Sequence, residues 1–350
     1  CSRAPGEPSM SNVNVPHLLL SRHRWRWPEI AFWLAAFACL LMPSKHLILN
    51  EIAILALFAL SLDLILGYAG IVSLGHAAFL GAGAYIAGLF AIHVSGDPLL
   101  GLLAAAAACG VLGFITSFLV LRGSDLTRLM ITLGVALLLG EIANRAAWLT
   151  GGADGLQGIT MDPLLGLFNF DLYGRTAFTY SLVVLFVLFL LARRLIHSPF
   201  GHSLTAIRDN PLRAAAVGIP VKRRLIAIYT FAAIYAGIAG ALLTQTTQFV
   251  GLDVLSFQRS ADVMLVVIIG GAGYLYGGLI GALGFKFLQD WLSALTPQYW
   301  HFWIGLILVA LVLIGRDRPR RLLHSVQKYV TNRWQSLTGS KAAGSSTGGA

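Results

Sequence analysis

Ten apolar stretches joined by short polar breaks decide what this chain can fold into. They lie at roughly 30–43, 46–66, 71–94, 98–121, 129–149, 176–195, 224–248, 259–276, 277–295 and 299–315. A helix needs about 20 apolar residues to cross a bilayer. Backbone polar groups cannot stay open in hydrocarbon, so such runs fold as helices. Charged residues make up only 11% of the chain, against roughly 25% in soluble domains. The expectation is an all-α polytopic membrane protein with about ten transmembrane helices and glycine-interrupted segments.

The basic residues set the orientation. In a soluble protein a net charge of +10 would suggest nucleic acid. Here the Lys and Arg residues fall in loops and tails, which is the positive-inside bias, and no nucleic-acid partner is expected. With the N-terminus inside, twenty of the 25 fall inside and four outside (Lys45, Arg145, Arg175 and Arg259), while Lys286 stays within a span. Both termini are therefore expected in the cytoplasm. Residues 1–29 read as a cytoplasmic lead with no cleavable signal peptide. Residues 30–316 are expected to form the transmembrane domain. Residues 317–350 form a cytoplasmic, partly disordered tail ending in SKAAGSSTGGA. Cys1, Cys39 and Cys109 make no disulfide framework.

Charges inside spans are costly, so their partners matter. Glu141 and Arg145 are four residues apart on one helix face, as are Lys286 and Asp290, and Arg259 and Asp262 are three apart. Asp63 has no neighbour of opposite charge. It is expected either to pair across helices or to lie near the cytoplasmic end of its span.

One charged island interrupts the apolar pattern, RRLIHSPFGHSLTAIRDNPLRAAAVGIPVKRR at 193–224. Ser198-Pro199 and Asn210-Pro211 each read as an N-cap followed by proline at the first helical position. Gly218, followed by Pro220, reads as a helix stop. Two short helices are predicted, about 199–209 and 211–217. Ala214, Ala215 and Ala216 would give the second a flat face. Two uses fit: docking of a soluble partner, or an amphipathic helix held on lipid headgroups by its arginines.

Glycine interrupts two apolar runs. The first is GYAGIVSLGHAAFLGAGAY, in which Gly67, Gly70, Gly75, Gly81 and Gly83 break the run and Tyr68, Ser73 and His76 add polar groups. Unwound backbone at membrane depth survives only where protein covers it or it lines a wet cavity. The alternative is close packing, with His76 a satisfied buried histidine. The second is GGAGYLYGGLIGALG at 270–284, with Gly273, Gly277 and Gly281 at GxxxG spacing. Two such segments in the two halves point to a central transport path. The loop TGGADGLQGI, with Gly151, Gly152, Asp154 and Gly155, is dense in turn residues. It either caps the path, meets an extracytoplasmic partner, or is a plain tight loop.

No Lys follows a glycine, so no phosphate-binding loop exists in the sequence, and there is no HExxH or CxxC motif. No catalytic or metal-binding residues are assigned. A transporter driven by a separate engine is the reading, with an ion-coupled secondary transporter using Asp63 as the alternative.

The stretches LSLDLILGYAGIVSLGHAAFLGAGAY, LTGGADGLQGI and GHSLTAIRDNPLRAAAVGIPVKRRLIAIYTFAAIYAGIAGALL resemble the LivM-type permeases of branched-chain amino acid ABC transporters. The resemblance covers about 46–316. It implies that 193–224 is the cytoplasmic coupling loop received by an ATPase subunit. The residues carried over are Arg208, Asp209, Asn210, Ala214, Ala215 and Gly218, with Pro211 beside them. Many relatives carry an acid just before the alanines, where this chain has Pro211-Leu212-Arg213. The resemblance also implies that Gly67, Tyr68, Gly70, Ser73, Gly75 and His76 lie near the translocation path. It implies a multi-pass location in the bacterial inner membrane and no cofactor in this chain, ATP being used by partner subunits. The implied partners are a LivH-type second permease, two ABC ATPase subunits, an extracytoplasmic substrate-binding protein and the lipid bilayer. Relatives of this type handle branched-chain amino acids, urea, short amides or aromatic acids.

Overall fold

The computed structural model describes residues 27–41, 45–123, 125–164 and 174–295, together with 166, 168, 171, 297, 299, 302–307 and 309. The expected lead up to residue 26, the tail at 317–350 and much of the 299–315 run lie outside the described residues. In chain order the helices are α1 (Trp27–Ala38), α2 (His46–Asp63), α3 (Ala77–His93), α4 (Pro98–Val120), α5 (Asp125–Arg145), α6 (Ala147–Thr150), α7 (Arg175–Ile196), α8 (Pro199–Asp209), α9 (Pro211–Ala216), α10 (Val221–Thr247), α11 (Phe257–Gly270) and α12 (Gly277–Leu295). No strand forms among the described residues; two isolated bridges occur in loops. Among the described residues five helices are long and apolar enough to cross a membrane: α2 with its extension to Tyr68, α4, α5, α7 and α10.

The chain divides into two units, the first ending at Lys286 and the second beginning at Phe287. The second holds the rest of α12 and the helical residues 302–307. Everything below concerns the first.

At its centre stands α10, 27 residues and about 40 Å long. Its middle reads AAIYAGIAGA, and small residues let neighbouring backbones approach. It packs against α3, α4 and α2. A Cβ on Gly240 would run into the Leu80 carbonyl of α3, and one on Gly83 into the Gly237 carbonyl. Cys109 of α4 is buried against the same surface, where its Sγ approaches the Phe79 carbonyl at 3.4 Å. The Thr244 hydroxyl of α10 donates to the Ala84 carbonyl at 2.9 Å. Further along α10, Gln245 Nε2 donates to the Pro98 carbonyl at 2.7 Å while its Oε1 accepts from the Tyr180 hydroxyl at 3.1 Å, which ties α10, α4 and α7.

On the flank, α2 packs on α7, and Trp33 of α1 meets Phe186 and Phe189 of α7 edge-on. The Arg193–Glu29 ion pair, at 2.8 Å and largely buried, closes this contact.

Two departures from the sequence pattern matter. The run at 71–94 is helical only from Ala77, and the run at 259–276 only to Gly270. In both cases glycine allows the backbone to unwind, and in both the break falls beside the end of α2.

Candidate functional site: the junction of two glycine-broken segments and a two-helix loop

Helix α2 ends in a turn of π-helix, Leu64–Tyr68. Such turns widen a helix and leave carbonyl groups for other partners. The chain then runs unwound to His76 before α3 starts. Within this stretch Gly67, Tyr68, Ser73, Gly75 and His76 are buried, and Gly70 is exposed.

Backbone in such a position needs hydrogen-bond partners. Two neighbouring helices supply them to N–H groups, and a third holds the His76 ring. The Leu74 N–H donates to Thr132 Oγ1 of α5 at 3.3 Å, and the Ala77 N–H to Ser260 Oγ of α11 at 3.0 Å. The Ser61 hydroxyl of α2 donates to the Phe58 carbonyl at 2.6 Å. Its oxygen is left to accept from His76 Nε2 at 2.8 Å. Phe58 stacks on the imidazole at 5.5 Å. Ser73 Oγ and His76 Nδ1 are buried and find no hydrogen-bond partner among the described residues.

The second glycine-broken segment meets the first. Asp63 Oδ1 of α2 accepts from the Gly273 N–H at 2.7 Å. A Cβ on Gly67 would collide with both Asp63 Oδ1 and the Gly273 nitrogen. Gly273 has φ +81, a backbone region that costs most other residues about 1–2 kcal/mol. Asp63 is therefore tied across the bundle to the turn between α11 and α12, with a backbone N–H among its partners. Gly277 and Gly281 pack against Gly270, closing the α11–α12 hairpin.

The charged island forms the predicted two helices, α8 and α9. Asn210 caps α9, its Oδ1 accepting from the Arg213 N–H at 2.9 Å. Ser198 takes the extended backbone of a cap, but its hydroxyl donates to the Leu195 carbonyl at 2.5 Å and does not cap α8. Gly218 ends α9 at φ +90 with open space around it. Ala214 is turned inward, whereas Pro211, Ala215 and Asp209 are exposed. Leu212 and Val217 are 83% and 77% exposed. So α9 carries an uncovered apolar face.

Arg208 points back into the bundle. Its Nη1 donates to the Gly67 carbonyl at 2.6 Å, and its Nε and Nη2 donate to Asp209 Oδ1 at 3.2 and 3.1 Å. A Cβ on Gly70 would lie 2.9 Å from Arg208 Cγ. Arg208, Gly67, Gly70, Asp63 and Gly273 thus form one cluster.

The loop with Gly151, Gly152, Asp154 and Gly155 is not part of it. The one-turn α6 and a 3-10 turn at Gly152–Asp154 fold it back on α5, where the Thr150 hydroxyl donates to the Ala143 carbonyl at 2.5 Å. Leu156 and Val250 then form an antiparallel bridge, at 2.8 and 3.3 Å. This pins the loop to the α10–α11 connection and buries Leu156, Val250 and Leu255 with Tyr85 of α3.

Of the in-span charges, Glu141 and Arg145 pair at 2.6 Å. Arg259 reaches Asp253 at 2.8 Å, and Lys286 reaches Glu51 of α2 at 2.7 Å. Sequence reasoning missed Ser61, Thr132 and Ser260. Ser61 and Thr132 are lone hydroxyls inside apolar runs, whereas Ser260 lies between Arg259 and Asp262 and carries no such signal.

A polytopic α-helical membrane protein, with unwound backbone enclosed by helices and a polar two-helix loop at one end, is the class these features define. The chain belongs to the family described as branched-chain amino acid transport system / permease component, which it matches over residues 46–313. It is 28% identical over 254 residues to the high-affinity branched-chain amino acid transport system permease protein LivM of Escherichia coli, covering 65% of this chain and 58% of that protein. It is also 28% identical over 284 residues to the fructose import permease protein FrcC of Rhizobium meliloti, covering 78% of each. The ribose import permease protein RbsC of Bacillus subtilis is 28% identical over 171 residues, covering 45% of this chain and 53% of that one. The chain thus spans 58% of the length of the LivM relative. No solved structure matches it significantly. Membership in this family, together with its apolar helices, makes it a multi-pass protein of the bacterial inner membrane.

Proposed function

We propose that this chain is a membrane-spanning permease subunit of an ABC importer for branched-chain amino acids. ATP hydrolysis would be carried out by separate ATPase subunits docked on the α8–α9 loop. The observation that carries this reading is that loop. It has an Asn210-capped form and an apolar face on α9 that is exposed among the described residues, and it is tied through Arg208 to the broken segment after α2. The further partners would be a second permease of the LivH type and an extracytoplasmic binding protein. The path for the solute would run beside Gly67–His76, where Ser73 and His76 bring buried polar atoms into an otherwise apolar bundle.

A second reading of the solute, a small sugar, is favoured by the match to the fructose permease, which extends over more of this chain than the LivM match does. Reconstitution in liposomes with the second permease, the ATPases and a binding protein decides the question. Labelled leucine uptake should require ATP and be competed by isoleucine, but not by fructose, ribose, urea or aromatic acids. Transport of leucine by the purified chain alone, down an ion gradient, would overturn the ABC reading. Competition by fructose would move the substrate to the sugar class.

A further inference from the structure

Arg208 was placed by family pattern on a surface meant for a partner, yet its guanidinium faces its own chain. The Gly67 carbonyl lies in the π-helical end of α2, where helix termini leave acceptors without partners. Arg208 Nη1 fills that need at 2.6 Å. A Cβ on Gly273 would stand 3.2 Å from the Gly67 oxygen and 3.3 Å from Arg208 Nη1, so the guanidinium lies directly beside the Gly271–Tyr276 turn. That turn is anchored to α2 through Asp63 Oδ1. Asp209 holds the other edge of the guanidinium, which fixes its plane. One side chain on α8 therefore bonds to one unwound segment, 141 residues away in sequence, and lies beside the other.

We infer that Arg208 is a positioning residue that makes α8 move as one body with the unwound segments at Gly67–His76 and Gly271–Tyr276. A displacement of α8 would be passed to both through the Gly67 carbonyl, and α9 would keep the outward contact. The transport consequence rests on the ABC reading above. The mechanical link does not, because it concerns contacts within this chain.

The test has two arms. In the first, amide hydrogen exchange is measured on the full chain in lipid nanodiscs, with no ATPase present. Arg208→Ala should raise exchange at 68–76 and 271–276, the Gly273 amide included, by tenfold or more and leave α10 unchanged. Arg208→Lys, which can still donate to Gly67, should stay within about threefold of the parent chain. Asn210→Ala, which loosens α9 alone, should leave both segments protected. Unchanged exchange at 68–76 and 271–276 in Arg208→Ala, or an equal rise throughout α2, α7 and α10, would overturn the inference. Should Arg208→Ala fail to fold, Arg208→Gln takes its place with the same outcomes. In the second arm, uptake per ATP hydrolysed by the reconstituted complex should fall at least tenfold in Arg208→Ala, with recovery in Arg208→Lys. Both rates falling together would mark Arg208 as merely structural. If the parent complex shows no ATP-driven uptake, the ABC reading fails and the exchange arm still decides the link.

Discussion

At the scale of single residues, Asp63 and Gly67 show how little of a membrane junction is written in neighbouring letters. Asp63 in an apolar run has the look of a proton-relay group. In the structure its Oδ1 accepts from a backbone N–H 210 residues away, and an amide oxygen could do the same. Asp63→Asn should therefore retain most uptake and stability. Asp63→Leu should leave the Gly273 N–H unsatisfied and cost about 1–3 kcal/mol, measurable by thermal unfolding in nanodiscs; loss of uptake in the Asn variant with stability intact would restore the ionic role. Gly67→Ala should cost a similar amount, about 1–3 kcal/mol, because its methyl group meets the Gly273 backbone and Asp63. An unfolding midpoint equal to the parent's would contradict that contact. The sequence carried a signal for Gly67 and Gly273 as breaks in hydrophobic runs, but none for their meeting, since tertiary contact between two glycines leaves no side-chain pattern. His76 was legible only as an alternative between a path residue and a packed one. Its bond to Ser61 and its stacking on Phe58 needed the fold.

At the scale of elements, the α8–α9 loop was legible because its signals are local. Proline at the first helical position and an Asn cap act within one turn, so Asn210 could be read directly, and its cap forms. Ser198 carried the same letters and bonds backwards to Leu195 instead, since a serine hydroxyl can also donate to the preceding turn. Asn210→Ala should destabilise α9 by about 1 kcal/mol, seen as faster amide exchange confined to 211–217. Gly218→Val should cost about 1–2 kcal/mol through its left-handed backbone. Since no atom crowds that position, the expected phenotype is a mis-set α9 and less uptake per ATP, with little change in the unfolding of the bundle. The starts of α3 and the end of α11 were harder to place. Hydropathy runs straight through Ile71–Gly75, and the hydroxyls of Thr132 and Ser260, supplied from elsewhere, accept N–H groups at and just after that unwound backbone.

At the scale of the whole molecule, charge distribution and apolar runs were enough to read an all-α polytopic architecture. The central place of α10 was not read, because its alanines and glycines differ little from those of other spans. The orientation stays a prediction: a reporter fused after Arg316 and one inserted in the α8–α9 loop should be on the same, cytoplasmic side, and an extracellular signal from the first would rule out ten spans. The crossing of α10 with α3 has one more consequence. Gly240 meets the Leu80 carbonyl, and Gly83 meets the Gly237 carbonyl. Each of these neighbours is main chain, which every amino acid shares. A bulkier residue at Gly83 or Gly240 thus has no compensating substitution across the interface, as it would have in a jigsaw of side chains. Adaptation to new solutes has to proceed around this crossing, and a library built to retune the protein gains nothing by varying it.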